Sequence, residues 1–116
     1  MQIAAPPGCE AAARAYFGRL LGLPELDKPP LLAARGGVWF AVGAQALHVG
    51  VDDGFAPAEK AHPAFRLADG ASLEALASRM RERGVDVRWD EALPGVRRFY
   101  APDPWGNRLE FLAPTP

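Results

Sequence analysis

The sequence predicts an α+β fold built from two tandem βαβββ modules, and three observations indicate it. The predicted elements follow the order strand, helix and three strands, and this order occurs twice. Gly22 and Gly84, which end the two predicted helices, lie 62 positions apart, and the same step relates His48 to Glu110. A βαβββ half covers only one face of its sheet, so it needs a second half, in the same chain or another. Together the halves would form a cup-shaped mixed sheet with the helices on the outer face.

The first module begins with a predicted strand over residues 2–5. A helix follows from Cys9 to Leu21, because apolar residues recur there with i, i+3, i+4 spacing and Gly22 can end it. Three segments with strand character complete the module, and the first of them has the weakest pattern: 30–34 (PLLAA), 37–42 (GVWFAV) and 46–51 (ALHVGV).

The second module repeats this order. Its helix follows Ser72, with Leu73, Leu76, Ala77 and Met80 on one face, and Gly84 ends it. The predicted strands are 63–67 (PAFRL), 85–89 (VDVRW), 96–101 (VRRFYA) and 108–113 (RLEFLA). We therefore expect one domain over residues 1–116, with module one at about 1–51, module two at about 62–114 and a joint at 58–61.

Composition narrows the classes of partner. The chain of 116 residues is 49% hydrophobic and 23% charged with a net charge of −1, and its basic residues are scattered. We therefore expect no nucleic-acid or membrane partner, which leaves a small molecule or another protein. Cys9 is the only cysteine and no signal-peptide pattern is present, so the predicted location is cytoplasmic and Cys9 is interpreted as an ordinary helix-entry residue.

Three polar residues are predicted to point into the concave side. Alternate side chains of a strand share a face, so Leu47 and Val49 point to the helix side and His48 to the other. The same alternation directs Glu110 inward in the last strand and His62 inward before the 63–67 strand. Two imidazoles and a carboxylate suit a first-row divalent metal, and such a set leaves positions open for a substrate. Taken singly, each could instead be an ordinary hydrogen-bonded side chain.

Charged and aromatic residues of the 96–101 strand supply further candidates, which are Arg97, Arg98 and Tyr100. Alternation places Arg97 and Phe99 on one face and Arg98 and Tyr100 on the other, so one arginine is expected to face the cup and bind a carboxylate or phosphate. The alternative is a solvated strand face or a salt bridge with the acidic segment 89–92.

Aromatic residues could line the pocket. Trp39, Phe40 and Trp105 are the candidates, and Phe40 and Trp105 join Arg98 and Tyr100 in the predicted substrate-binding set. An aromatic side chain on a strand is more often part of the core or of an interface, and that alternative stays open.

The chain resembles the vicinal oxygen chelate superfamily, which includes glyoxalase I, extradiol dioxygenases, fosfomycin-resistance enzymes and bleomycin-binding proteins. The resemblance covers essentially the whole chain and rests on the double βαβββ pattern and on AYFGRLLGL, HPAFRL and DPWGNRLEFL. It implies a divalent metal (Zn, Ni, Mn or Fe) bound by His48, His62 and Glu110, with Glu110 and His48 as catalytic proton carriers. It also implies a homodimer whose composite sites join module one of one subunit to module two of the other.

Members of the glyoxalase type have four ligands, and the fourth has no counterpart here. The step of 62 carries His62 to the position before Met1, so the first-strand ligand is missing. Its loss is expected to weaken the metal site without necessarily abolishing it, and the alternative is that this chain binds no metal. The Ala, Gly, Pro and Arg usage suggests a GC-rich gene, and we expect an in-frame His codon immediately upstream of Met1. The alternative is that the natural protein lacks this ligand.

Two functions follow from these residues. The first is a metal-dependent enzyme acting on a small oxygenated substrate, as a lyase, isomerase, dioxygenase or thiol transferase. The second is a metal-free small-molecule binding protein of the bleomycin-resistance type. The near-neutral charge and the three ligand-type residues favour the first, and a small interaction module would need an exposed apolar patch that a sequence does not reveal.

Overall fold

The computed structural model describes all residues from 1 to 116, which form two compact units, Met1–Pro57 and Ala58–Pro116. Each unit contains one four-stranded mixed sheet and follows the order strand, helix and three strands. The predicted α+β class and its repeated βαβββ modules are therefore confirmed. None of the helices is long and apolar enough to cross a membrane.

Module one carries a sheet with the strand order β1-β4-β3-β2. Strand β1 pairs with β4 in parallel, and the other two pairings are antiparallel. The elements in chain order are β1 (Gln2–Ala5), α1 (Glu10–Ala13), a π-helical segment (Arg14–Leu20), β2 (Glu25–Leu26), α2 (Pro30–Ala33), β3 (Val38–Val42) and β4 (Gln45–Val51).

The predicted first helix is confirmed, although its second half is wider than an α-helix. The Leu21 amide donates to the Tyr16 carbonyl at 3.0 Å, which is the i to i+5 bond of a π-helix. Gly22 then ends the helix with a φ of +74°, as its position predicted. The segment packs on β3, where the rings of Phe17 and Phe40 lie 5.8 Å apart.

The strand predicted over residues 30–34 is wrong. Pro30 occupies the first turn of α2, where its fixed φ suits a helix and its missing amide costs nothing. The Leu32 amide donates back to the Pro29 carbonyl at 2.9 Å, and Leu31 is 90% exposed, so this apolar run belongs to no sheet. The edge strand of module one is instead β2, whose two residues are too few to show any alternation.

Module two has the equivalent strand order β5-β8-β7-β6, with β5 and β8 parallel. Its helix α3 packs on β7 and β8, and Gly84 follows it with a φ of +77°. The elements are β5 (Ala64–Arg66), α3 (Gly70–Glu82), β6 (Arg88–Asp90), β7 (Val96–Pro102) and β8 (Arg108–Pro114). Strand β6 therefore begins later than the predicted strand over 85–89.

The start of α3 also differs from the prediction. Asp69, in extended backbone conformation, accepts a hydrogen bond from the Ser72 amide at 2.8 Å, so Asp69 is the N-cap and Ser72 lies in the first turn. A short acceptor side chain three residues before a free amide is the usual N-cap geometry. The helix therefore begins at Gly70, three residues earlier than the predicted start after Ser72, because Asp69 accepts from the Ser72 amide from outside the helix.

The internal repeat is visible in the strand registers. In module one Gln2 lies opposite His48, and in module two Ala64 lies opposite Glu110, so both members of each pair are displaced by the same 62 positions. His48 and Glu110 therefore occupy equivalent places on the central strands β4 and β8.

The alternation of buried and exposed side chains agrees with the predicted strand faces. Leu47 and Val49 are buried on either side of His48, which is half-buried. Leu109 and Phe111 are buried on either side of Glu110, which is itself only 7% exposed, so in β8 the alternation is between apolar and polar side chains. Each sheet therefore buries one face in its core and presents a polar side chain of its central strand on the other.

Candidate functional site

Glu110 is a carboxylate with very little exposure to solvent. It lies on β8 opposite Tyr100 of β7 and Ala64 of β5, and only 7% of its surface is accessible. Burying a carboxylate is costly unless charged or hydrogen-bonding partners compensate. The neighbouring side chains show how that compensation is achieved.

His62 supplies one partner from the segment just before β5. Its Nε2 lies 2.9 Å from Glu110 Oε1, and its Nδ1 lies 2.8 Å from the Lys60 carbonyl oxygen. Its ring also meets the Tyr100 ring edge to face, with 5.5 Å between the centroids. The prediction that His62 and Glu110 point to a common place is therefore supported by a direct contact.

Arg98 supplies the second partner of Glu110. Its Nη1 lies 3.5 Å from Glu110 Oε2, and its Nη2 lies 3.5 Å from Asp90 Oδ1. Its Nε is buried without a hydrogen-bond partner. Arg98 therefore faces Glu110 and also forms the ion pair with the acidic 89–92 segment that the sequence offered as the alternative.

The neighbouring arginine points the other way. Arg97 pairs with Glu74 of α3, and its guanidinium lies 4.3 Å from the centroid of the Trp89 ring.

On the Glu110 face, the guanidinium of Arg108 lies 4.0 Å from the centroid of the Tyr100 ring. We call His62, Arg98, Tyr100 and Glu110 the module-two cluster.

Module one presents an aromatic pair at the equivalent place. The His48 imidazole stacks on the Trp39 indole of β3, with centroids 3.9 Å apart and planes inclined by 3°. Burial lowers the pKa of His48, and the positive charges of the Met1 amino group and Lys28 lower it further. The imidazole is therefore neutral at neutral pH, which is the form that binds a metal.

One predicted substrate-binding residue lies elsewhere. Phe40 has no exposed surface and packs against Phe17 in the core, on the opposite face of β3 from Trp39. The prediction that Phe40 contacts substrate is wrong for this structure because β3 directs its even-numbered residue inward at this point.

Trp105 belongs to a turn that fixes the start of β8. Asp103 accepts hydrogen bonds from the Trp105 amide at 3.0 Å, from the Asn107 amide at 2.8 Å and from the Asn107 side chain at 2.7 Å. Asn107 in turn accepts from the Ala58 amide at 3.0 Å. Asp103 and Asn107 are both buried, so this turn holds β8, and with it Glu110, in place.

The sequence did not indicate the basic residues beside His48. Lys28 and Arg35 line a cavity in module one together with Trp39 and His48. Both basic residues lie in connecting segments with no strand or helix periodicity, so no pattern in the sequence could assign them to this wall.

Cys9 is buried at the start of α1, and its Sγ lies 3.4 Å from Glu10 Oε2. Burial raises the pKa of its thiol to about 11, and the Glu10 carboxylate contributes in the same direction. Cys9 is therefore an unreactive thiol, in agreement with its interpretation as a helix-entry residue.

The atoms of His62 and Glu110 fit a divalent cation. A carbonyl oxygen only accepts hydrogen bonds, so His62 Nδ1 must donate to Lys60, as the second nitrogen of a metal-binding histidine commonly does. Nε2 lies 2.9 Å from a carboxylate oxygen, and two such atoms at that distance need a proton or a cation between them. Metals such as Zn²⁺ bind both atom types at about 2.0–2.2 Å, so the pair could serve as neighbouring ligands.

The three predicted ligands are divided between the two modules. His62 and Glu110 meet in module two, whereas His48 lies in module one with Trp39. No group of three or more His, Cys, Asp and Glu side chains gathers in the structure in a way that could hold a metal ion.

Solved structures supply the comparison with known proteins. A crystal structure of a glyoxalase family protein from Bacillus anthracis is 44% identical, with a TM-score of 0.92 over 98% of this chain and 91% of that one. At this identity and coverage, the chain belongs to the glyoxalase family of the vicinal oxygen chelate superfamily. No protein-family model matches the chain, and no curated protein matches it.

Two more distant structures share the fold. Lactoylglutathione lyase from Agrobacterium tumefaciens is 23% identical, with a TM-score of 0.74 over 97% of this chain and 91% of that one. A fosfomycin resistance protein from Listeria monocytogenes is 14% identical, with a TM-score of 0.76 over 99% of this chain and 90% of that one. At these identities the likeness concerns the fold alone.

Proposed function

We propose that the protein is a divalent-metal-dependent enzyme that acts on a small oxygenated substrate, as a lyase, isomerase, dioxygenase or thiol transferase. The observation that carries the proposal is the contact between His62 Nε2 and Glu110 Oε1, with His62 Nδ1 bonded to a backbone carbonyl. This arrangement orients two ligand atoms toward one point and fixes the histidine tautomer. Zn, Ni, Mn and Fe are all compatible with one carboxylate and imidazole ligands.

The side chains of the module-two cluster would divide the work. When bound, the metal supplies Lewis acidity that holds two substrate oxygens and polarises a carbonyl. Glu110 is also the group placed to accept and return a proton, because it is buried and faces the open side of its sheet. Arg98 and Tyr100 would orient the substrate beside it.

The proposal includes a homodimer in which His48 of one chain joins His62 and Glu110 of a second copy. His48 and Glu110 occupy equivalent places on β4 and β8, so a two-fold arrangement would create two identical composite sites. The neutral imidazole of His48 suits this role, and His48 is the second candidate for proton transfer. A cytoplasmic location is part of the same proposal.

A metal-free binding protein is the second candidate, and one observation favours it. Both oxygens of Glu110 already face positive or hydrogen-bonding partners, with His62 at 2.9 Å and Arg98 Nη1 at 3.5 Å. The carboxylate is thereby compensated without any metal. Such a protein would bind its ligand and perform no reaction, as in bleomycin resistance.

Metal affinity distinguishes the two candidates. Protein stripped with EDTA would be titrated calorimetrically with Zn²⁺, Ni²⁺ and Mn²⁺, and anaerobically with Fe²⁺, followed by elemental analysis. We expect one metal per composite site and a loss of affinity of at least about 100-fold in His62→Ala and Glu110→Gln. Glu74→Gln is the matched control, because Glu74 is a half-exposed carboxylate on α3 that pairs with Arg97.

Turnover would then be tested with the metal that binds most tightly. Lactoylglutathione and fosfomycin, named for two of the solved structures, are the first compounds to try. Metal uptake that Glu110→Gln leaves unchanged would refute the assigned site. Negligible uptake by the unmodified protein would favour the metal-free binding protein instead.

A further inference from the structure

A cavity of about 420 Å³ lies in module one, on the face of the sheet that carries His48. Its wall includes the side chains of Gln2, Lys28, Arg35 and Trp39 in addition to His48, and the remaining lining residues are apolar or glycine. Its volume falls within the range of small-molecule sites, which is about 300–1,000 Å³. The cavity is therefore large enough for a small metabolite.

The charges on this wall all have one sign. Lys28 and Arg35 are cationic, no acidic side chain lines the cavity, and neither cation forms an ion pair. Lys28 Nζ donates to the Gly36 carbonyl, which leaves two of its three donors free. Two uncompensated cations beside a concave, partly apolar wall concentrate positive potential there.

Three nearby carboxylates lie outside this cavity. Glu10, Glu25 and Asp27 line a separate, neighbouring cavity. Glu25 is held by Arg14 at 2.9 Å, and Glu10 accepts from the Gly37 amide at 2.8 Å. Two of these three carboxylates are thus engaged elsewhere, and Lys28 lies at the boundary between the two cavities.

We propose that Lys28 and Arg35 form an oxyanion subsite that holds a carboxylate or phosphonate group of the substrate in the same cavity as His48. This proposal rests on the proposed function only in calling the bound anion part of a substrate, and the anion site itself does not depend on it. The subsite deepens that function by naming the substrate class, which is an oxygenated molecule with one anionic end. Gln2 contributes a neutral amide that can donate to the same group.

The subsite is tested by anion binding in the absence of metal. Lactate is the probe, and lactamide is its neutral counterpart with nearly the same shape. Both would be titrated at constant ionic strength in EDTA, with the indole N–H resonance of Trp39 as the reporter, assigned through Trp39→Phe. We expect saturable shifts with lactate and at least tenfold weaker binding of lactamide.

Arg35→Gln is the decisive variant, because the structure gives Arg35 no partner whose loss could disturb the fold. We expect lactate affinity to fall at least tenfold and Arg35→Lys to restore most of it. Lys28→Gln should act in the same direction once circular dichroism shows that losing the bond to Gly36 leaves it folded. Arg83→Gln, an exposed arginine of module two, should bind lactate as the unmodified protein does.

Inorganic phosphate separates a general anion site from a substrate site. Competition of phosphate with lactate for the same resonance would support the subsite. A response to phosphate without any response to lactate would overturn it, and so would equal affinity for lactate and lactamide. Undiminished lactate binding by Arg35→Gln would also overturn it. Since no metal is present, these outcomes are independent of whether the metal test succeeds.

Discussion

Gly37 offers a sharp test of the strand packing that supports His48. Its φ is +86°, and a Cβ at this position would collide with the backbone oxygen of Val49 on β4. Gly22 has a similar φ of +74°, but a Cβ there would meet nothing within 4 Å. Alanine substitutions at the two glycines therefore share the backbone strain and differ in the collision.

The expected losses of unfolding free energy follow from these two contributions. Left-handed backbone costs an alanine about 1–2 kcal/mol, so Gly22→Ala should lose about 1 kcal/mol. A collision with fixed strand backbone adds about 1–3 kcal/mol, which brings Gly37→Ala to about 3 kcal/mol. Urea unfolding followed by circular dichroism measures both, provided that the m-value is unchanged. Equal losses for the two variants would refute the packing of Gly37 against β4.

Three further predictions concern titration, reactivity and capping. Because the pKa of His48 is lowered in the folded protein, the unfolded chain takes up a proton at His48 near pH 6.5, before the folded chain does. The free energy of unfolding should therefore fall below that pH. His48→Gln should flatten this decline, measured as the midpoint of urea unfolding. Cys9, buried and with a pKa of about 11, should react with a thiol reagent at pH 8 only after denaturation. Asp69→Ala should lower the urea midpoint more than Ser72→Ala, because Asp69 is the acceptor of the cap.

Each of these has a clear opposite result. An identical pH profile for the unmodified protein and His48→Gln would contradict the burial of that imidazole. Rapid modification of Cys9 in the folded protein would show that α1 opens readily. A larger loss in Ser72→Ala than in Asp69→Ala would contradict the assignment of Asp69 as the N-cap.

Much of the fold could be predicted because the relevant signals are local and repeated. Strand alternation around His48 and Glu110, and glycine stops at Gly22 and Gly84, are properties of short segments that tertiary contacts reinforce. The repeat step of 62 then related the two modules without any further information. These features suffice to predict that His48 and Glu110 lie on equivalent strands.

The errors occurred where the local signal was weak or ambiguous. The apolar pattern of residues 30–34 predicts a strand, yet Pro30 begins the helix α2. The edge strand of the module-one sheet is Glu25–Leu26, which has only two residues. Trp39 and Phe40 are neighbouring aromatic residues on one strand, and the packing of Phe40 against Phe17 shows that Phe40 belongs to the buried face.

The cationic wall of the module-one cavity could not be predicted from the sequence. Lys28 and Arg35 come from connecting segments, where no periodicity fixes the direction of a side chain. The same limit applies to Arg98. Its strand face was predicted, but its shared contacts with Asp90 and Glu110 depend on the pairing of β6, β7 and β8.

Anomalous diffraction from crystals grown with Zn²⁺ would locate the ion directly. The proposed centre requires a peak at about 2.0–2.2 Å from His62 Nε2 and a Glu110 oxygen, with His48 of a second copy as the third ligand. A map with no peak between His62 and Glu110, in crystals whose protein is otherwise folded as described, would contradict a metal centre at this site.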